Sequence, residues 1–385
     1  MNIRKNINTI IAAALAVMAV AACKKDDEET ETLPSLSGQL RFEAAPYIKK
    51  NETLTMTPSG LTHPEGKGIG YYWAVPNVTE NNDTTKLETD DPKEKDGTAV
   101  IKFPDEIGTY TVSCTAFASG YYNTSVNKYV TVVDKDESLI DISKGYTGEY
   151  GTCTDTRDGR SYKTVTIGNT TEWFAENLKY SGLSENGGAD KIGIAYENAE
   201  AMSDIFGRYY SWEEATDKEN PVCPEGWRIP DAEDWLDMAN AVDRMVRENS
   251  DTEDGQESEE AGNTGFTEED TDYEGITGAM MVEACFNSED NEMWDYWPDV
   301  NITNLSGLSM IPCGFANLSK TAEGNPIGSF ETVNLYAAFW TAESEEDKAM
   351  FRYIYWDTPV LQLGQASKTD FAATVRCVRD ITTTE

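Results

Sequence analysis

Seven cysteines, one histidine and sixty-nine Asp and Glu side chains are the groups in this 385-residue chain that could do chemistry. The histidine, His63, sits in a Thr-His-Pro-Glu loop segment. With no second imidazole, a Ser-His-Asp or Cys-His nucleophile system and a His-rich zinc site both fall away. A lone loop histidine reads as a solvated turn residue. No two cysteines have Cys-x-x-Cys spacing, which removes metal knuckles and thioredoxin-like redox chemistry. Carboxylates abound, but choosing two of them as acid and base needs a substrate geometry that sequence does not supply. The stretch Glu248–Glu274 holds twelve acidic residues and no basic one. It lacks the Asp-x-Asp-x-Asp-Gly spacing of a calcium loop and reads as a solvated insertion. Asp295 and Asp299 are the remaining calcium candidates, with no motif behind them, and no other cofactor is expected.

Cys23 has a different chemistry. Arg4 and Lys5 precede the apolar run Ile10–Ala22, and Ala21-Ala22 lead directly into Cys23. A positive start, a short apolar core and small residues before a cleavage point make a secretory leader. The run is shorter than the ~20 apolar residues of a membrane span. Ala-Ala-Cys resembles the lipobox of a bacterial lipoprotein precursor, in which the cysteine is acylated and becomes the new N-terminus. Lys24-Lys25-Asp26-Asp27-Glu28-Glu29 follows, and resembles the surface-export signal of Bacteroidota lipoproteins. The resemblance implies a signal peptide over 1–22, a lipidated tether over 23–36, and an outer-membrane anchor with the protein exposed at the cell surface.

The formal net charge is −38, and removing Arg4 and Lys5 with the leader takes it to −40. Such a surface repels nucleic acid. Aromatics at 10% and nine Trp argue for packed globular parts. Over 37–133, apolar and polar residues alternate in Gln39–Ala44, Gly70–Val75, Thr98–Phe103 and the hairpin Gly108–Ala116 with Val126–Val133. Residues 81–97 read as a loop. Gly-Thr-Tyr-Thr-Val with a closing Val-Thr-Val-Val resembles bacterial Ig-like or PKD-like modules, which implies an all-β sandwich acting as a spacer. Trp73 would be its core tryptophan and Tyr110 its corner tyrosine. Val112 stands where an antibody-type domain has its second cysteine, so Cys114 is expected as a small buried side chain. Residues 134–150 read as a linker.

The last region, 151–385, carries the most specific pattern. Its blocks are Thr154–Gly168, Trp173-Phe-Ala-Glu-Asn-Leu178, Gly207-Arg-Tyr-Tyr-Ser-Trp-Glu-Glu-Ala215, Cys223-Pro-Glu-Gly-Trp-Arg-Ile-Pro-Asp-Ala-Glu-Asp-Trp235, Phe339–Glu343 and Val375-Arg-Cys-Val-Arg379. Together, and in this order, they resemble the Fibrobacter succinogenes major paralogous domain; two blocks also resemble the formylglycine-generating branch of the C-type lectin fold. The implied fold is an α+β C-type-lectin-like domain following the all-β module. Independently, Trp235, Met238, Ala239, Val242 and Met245-Val246 recur at spacings of three and four, predicting a helix from Asp231 to Val246.

Six cysteines follow Cys23, an even number that suggests disulfides in an exported chain, with fifteen connectivities open. Cys223 and Cys377 lie in the two blocks that bring cysteines to the family, so the resemblance implies that they pair. Cys285 and Cys313 are departures from the family pattern and suggest a second bridge. Cys114 and Cys153 are left as free thiols or an inter-domain link. The formylglycine-generating oxidases need a reactive cysteine pair close to the domain's end, where this chain has Cys377 alone, so an enzyme is not expected. Lectin-like folds bind near the last strands, and Trp294, Tyr296, Trp297, Tyr353, Tyr355 and Trp356 are the aromatic candidates there to stack on a sugar or anchor a protein. The expectation is a surface lipoprotein that binds a glycan or host-surface protein as an adhesin or capture protein. The alternatives are a structural subunit of a surface assembly and, last, an enzyme of the formylglycine-generating type.

Overall fold

The computed structural model describes residues 32–75, 97–139, 141–168, 171–182, 192–254, 265–287, 293–294 and 300–381. Strands dominate. The first region holds β1 (Ser37–Arg41), β2 (Tyr47–Lys49), β3 (Thr53–Met56), β4 (Ser59–Thr62), β5 (Gly70–Ala74), β6 (Ala99–Lys102), β7 (Gly108–Phe117) and β8 (Thr124–Val133). One sheet runs β2-β8-β7-β5, and β1 with β4 and β3 with β6 form two-stranded pairs. Period-2 alternation decides which side chains go inward. Val112, Cys114 and Ala116 of β7 are fully buried, while Ser113 and Thr115 between them are not.

Trp73 is likewise fully buried, packs edge-on to Phe42 at 5.0 Å, and donates from Nε1 to the Gly97 carbonyl at 2.8 Å. The Tyr110 hydroxyl donates back to the Glu106 carbonyl at 3.1 Å. Cys114 is a free thiol in this core, and burial pushes its pKa up to about 12. His63 departs from the solvated turn expected of it. It does close a turn, with Gly66 N–H donating to its carbonyl at 2.9 Å. Its ring, however, is buried edge-on to Tyr121 at 4.7 Å, and Nδ1 accepts from Glu65 N–H at 3.1 Å. At the other end, Ser35 bridges to Tyr122 and Leu36 is buried, so the expected tether is anchored before residue 37.

Residues 134–150, expected as a linker, are held down along much of their length. Asp134 caps α1 (Lys135–Ser138), accepting from the N–H groups of Asp136 and Glu137 at 3.0 and 3.3 Å. Leu139 bridges to Phe286, and Asn304 Nδ2 donates to the Lys144 carbonyl at 3.1 Å. Gly145 has φ +86°, and a Cβ there would lie 2.1 Å from the Thr303 carbonyl oxygen. Only glycine combines that backbone with that approach.

The second region continues with β9 (Gly151–Thr154), β10 (Ser161–Ile167), β11 (Thr171–Phe174), α2 (Ser203–Phe206), β12 (Tyr210–Ser211), α3 (Trp212–Ala215), α4 (Ala232–Asp254), β13 (Tyr273–Glu274), α5 (Thr277–Met280), β14 (Phe315–Lys320), β15 (Pro326–Glu331), β16 (Tyr336–Glu345), β17 (Lys348–Tyr355), β18 (Val360–Ser367), β19 (Phe371–Ala373) and β20 (Val378–Asp380). Its three sheets run β20-β11-β10-β9, β12-β19-β14-β15 and β13-β18-β17-β16. Helix α4 starts where expected. Asp231 Oδ1 accepts from Asp234 N–H at 3.0 Å, and Asp234 Oδ2 accepts from Asp231 N–H at 2.8 Å, a reciprocal cap. Trp235, Met238, Ala239 and Val242 are its buried stripe. The helix then runs on to Asp254, so the acidic stretch expected as an insertion begins as helix.

The two regions touch through polar and aromatic groups. Lys49 pairs with Asp204 at 2.5 Å and Lys50 with Glu137 at 2.5 Å. The Tyr47 ring lies 5.9 Å from that of Tyr196. Val133, the last residue of β8, belongs to the core of the second region.

Candidate functional site

The sheet of β16, β17 and β18 divides two apolar clusters, and strand alternation decides which side chain enters which. Phe339, Ile354 and Leu361 point into the larger cluster built around α4. Trp340 and Phe351 point the other way, into the cluster that also holds Cys223 and Cys377. Cross-strand register places Tyr336 opposite Tyr355, Ala338 opposite Tyr353 and Trp340 opposite Phe351. All six therefore share the second face.

Toward the Tyr336 end this face emerges from the core. Tyr336 and Tyr353 are half-buried and stack with centroids 4.9 Å apart and planes 19° apart. Ala338, between the two tyrosines in register, adds no bulk. The Tyr353 hydroxyl donates to Gln362 Oε1 at 2.8 Å. Phe315 of β14 abuts Tyr336 at 5.6 Å and stacks on Phe371 at 4.9 Å, and Phe371 stacks on Phe351 at 4.9 Å. Gly364 lets the Phe351 ring lie flat on the neighbouring strand, because a Cβ there would come within 2.4 Å of that ring. Partial burial raises the pKa of both tyrosines, so both hydroxyls stay protonated donors at neutral pH. The result is a ladder of aromatic rings with hydroxyl and amide groups along one side.

Of the expected ligand candidates, Tyr353 sits in this ladder. Tyr355 is half-buried beside it, its ring 6.2 Å from both Tyr336 and Trp356. Trp356 is half-buried against the larger core. Trp294 is a correction. It is buried at 3% exposure, and its Nε1 donates to the Met310 carbonyl at 3.2 Å, which satisfies the indole inside the core. Tyr296, Trp297, Asp295 and Asp299 lie outside the described residues, as does Cys23. Among the described residues, no group of three or more His, Cys, Asp or Glu is placed to hold a metal ion. No described helix is long and apolar enough to cross a membrane. Phe315, Phe371 and Gln362 escaped sequence reasoning, since β14 and β19 carry one aromatic each and β18 none, and no local pattern marks them.

A buried polar frame fixes the strands that carry this face. Arg376 is 1% exposed. It donates to Asn177 Oδ1 at 2.6 Å and to the carbonyls of Leu308, Phe174 and Ser309 at 2.7, 3.1 and 3.3 Å. Burial pushes its pKa down to about 10, still cationic at neutral pH. Beside it, Glu176 and Lys179 are both buried and pair at 2.9 Å. Burial alone would raise the Glu176 carboxyl. Lys179, the N–H of Lys163 at 2.7 Å and Lys135 outweigh it and hold the group at about 2. Burial pulls the Lys179 ammonium below its usual range against the pull of Glu176.

Cys223 and Cys377 are bridged, S–S 2.10 Å, tying the segment before α4 to the approach to β20. Cys285 and Cys313 are not joined, which overturns the expected second bridge. Cys313 is instead a buried thiol, with Asn177 Nδ2 at 3.5 Å and Thr374 Oγ1 at 3.8 Å. Cys285 is half-buried. Cys114 and Cys153 do not bridge either; each is a free thiol in its own region.

These blocks are also what comparison with known proteins recognises. Neither the curated proteins nor the solved structures yield a match. The model of the Fibrobacter succinogenes major domain matches residues 165–379. That span runs from β10 to β20 and is more than half of the chain, so the chain belongs to the Fibrobacter succinogenes major domain family.

Proposed function

We propose that this protein is a surface-exposed lipoprotein, anchored to the outer membrane through acylated Cys23, whose second region binds a ligand on the aromatic face of β16–β18. The ligand class is a glycan or a host-surface protein, and the role is that of an adhesin or capture protein rather than an enzyme. The first region serves as an Ig- or PKD-like spacer, and the second takes the C-type-lectin-like arrangement. The stacked, half-exposed pair Tyr336–Tyr353, with Gln362 beside it, carries the reading. Ring faces suit the apolar faces of sugars, and the adjoining hydroxyl and amide suit their hydroxyls.

A glycan array probed with residues 24–385, with and without calcium, tests this. A saturable signal that falls at least about fivefold in Tyr353→Ala supports the reading, since truncating a contacting aromatic anchor costs at least about 1 kcal/mol. A blank array with folded protein shifts the ligand to a protein partner.

A subunit role in a surface assembly is the second reading. It rests on exposed apolar side chains in the first region, with Tyr129 at 70% and Val100 at 58% exposure. Concentration-dependent self-association lost in Tyr129→Ser would favour it.

A further inference from the structure

Two consecutive residues, Glu197 and Asn198, hold left-handed backbone at φ 52° and 54° without being glycine. Asparagine tolerates that region, whereas glutamate adopts it rarely. Such strain persists only where the surrounding structure over-determines it. Here the turn is closed by Asn198 N–H, which donates to the Ala195 carbonyl at 2.9 Å, and its product is one well-aimed side-chain amide.

The amide faces the rim of a sheet. Strand β15 is the last strand of its sheet and pairs with β14 alone. A last strand leaves alternate N–H and C=O groups pointing outward, where another chain can pair with them. Gly328 is at such an outward position. Asn198 Nδ2 donates to the Gly328 carbonyl at 3.0 Å, and Gly328 N–H donates to Asn198 Oδ1 at 2.9 Å. A neighbouring antiparallel strand would make the same reciprocal pair, so the side chain stands in for one residue of an added strand. Two residues earlier, Pro326 has no N–H to offer. Glycine at 328 permits the close approach, because a Cβ there would lie 2.2 Å from Ile194 Cδ1. Tyr196 packs the turn down, its ring 5.2 Å from Phe330 of β15 and 5.9 Å from Tyr47 of the first region. A second edge is treated alike. Past the two β18 residues that pair with β13, Leu363 N–H donates to Asp272 Oδ1 at 2.9 Å.

Strand β15 is an edge in need of cover. Four of its six residues are exposed, and its one charge, Glu331, stands at the end. Ile327 is 38% exposed. An uncharged edge of this kind can pair antiparallel with its own copy, which closes as a two-fold dimer. We propose that Asn198 guards the β15 edge against strand addition by a second copy of this chain, and that the contact it withholds is an antiparallel β15–β15 pair.

Sedimentation equilibrium of residues 24–385 over a concentration series, wild type against Asn198→Gly, tests this. Glycine keeps the left-handed turn and removes the amide. The variant should self-associate at least about tenfold more tightly than wild type, the equivalent of about 1.4 kcal/mol. The Gly328 amide should exchange faster in the monomeric variant and regain protection as the variant associates. Adding Ile327→Lys, a charge on the exposed edge, should return association to the wild-type level. Asn198→Ala removes the same amide by another route and should associate alike, which covers poor folding of Asn198→Gly. Association no tighter than wild type in both variants, or added association that Ile327→Lys leaves unchanged, overturns the proposal. Tyr129→Ser should leave the added association in place; its loss would move the contact to the first region and overturn the proposal too.

Discussion

The two regions of this protein hold themselves together by different means. The core of the first, from Leu36 to Val132, is apolar, and His63 is the one buried polar side chain recorded there among the described residues. The other nineteen buried polar or charged side chains lie from Ser138 onward, three arginines among them, and so does the disulfide. The reason is geometric. Long paired strands satisfy their own backbone through the ladder, so side chains need only be apolar and of the right size. The second region is rich in irregular segments, such as 175–182 and 300–314, whose carbonyls have no ladder partner. Arg376 supplies several of them at once, and Arg208 donates to the carbonyls of Ile192 and Gly193 at 3.1 and 2.7 Å. Polar frames of this kind hold loops and short strands in one arrangement, which a binding face requires.

The largest test of this contrast is removal of the Cys223–Cys377 bridge. The chain-entropy estimate for a loop spanning 154 positions is about 4–5 kcal/mol. Reduction, or Cys223→Ser, should expose amides of β11 and β20 in hydrogen exchange and leave β7 and β8 protected. Equal loss in both regions would make them one cooperative unit and break the comparison.

Trp73→Ala is the converse experiment. It should cost about 3–5 kcal/mol, felt first in the β5 and β7 amides. Protection that falls first in the second region would contradict a self-contained first core.

Acid should separate the regions more gently. Glu176 is held at about 2 in the folded protein against an ordinary 4.5. A depressed carboxyl adds stability above its unfolded value and loses it as pH falls from 4.5 toward 2. The loss should amount to about 3 kcal/mol in the second region. Glu176→Gln should flatten that part of the pH profile in a denaturation series. A profile unchanged by the substitution would remove Glu176 from the account.

The smallest expected effect concerns the contact between the regions. Lys49→Ala removes a partly exposed ion pair with Asp204 and should cost less than about 1 kcal/mol. A larger loss in urea denaturation would show that the regions lean on each other more than their separate cores suggest.

What could be read ahead of the structure follows the same divide. In the first region, period-2 alternation marked the strands and residue type marked Trp73 and Tyr110, because their roles depend on near neighbours in sequence. In the second, the 3/4 spacing marked α4, and the family blocks marked the Cys223–Cys377 bridge. Trp294 was misjudged because Asn291, Glu292 and Asp295 around it are polar, while its indole is satisfied by Met310, sixteen residues on. Arg376 gave no local hint of burial, since its acceptors come from Phe174, Asn177, Leu308 and Ser309. The Cys285–Cys313 pairing was inferred from two departures from the family pattern, and Cys313 proved to be committed to the polar frame around Asn177 and Thr374. The aromatic ladder needed β16 and β17 in register and Phe371 brought in from a second sheet before Tyr336, Tyr353 and Phe371 could be seen as one surface.

The most direct measurement is a glycan array read in parallel with residues 24–385, Tyr353→Ala and Tyr129→Ala. The two substitutions set the half-buried ladder of the second region against the most exposed tyrosine of the first. The expected result is a saturable signal that Tyr353→Ala lowers at least about fivefold and Tyr129→Ala leaves intact. A signal lost with Tyr129→Ala and kept with Tyr353→Ala would contradict it and move recognition to the first region.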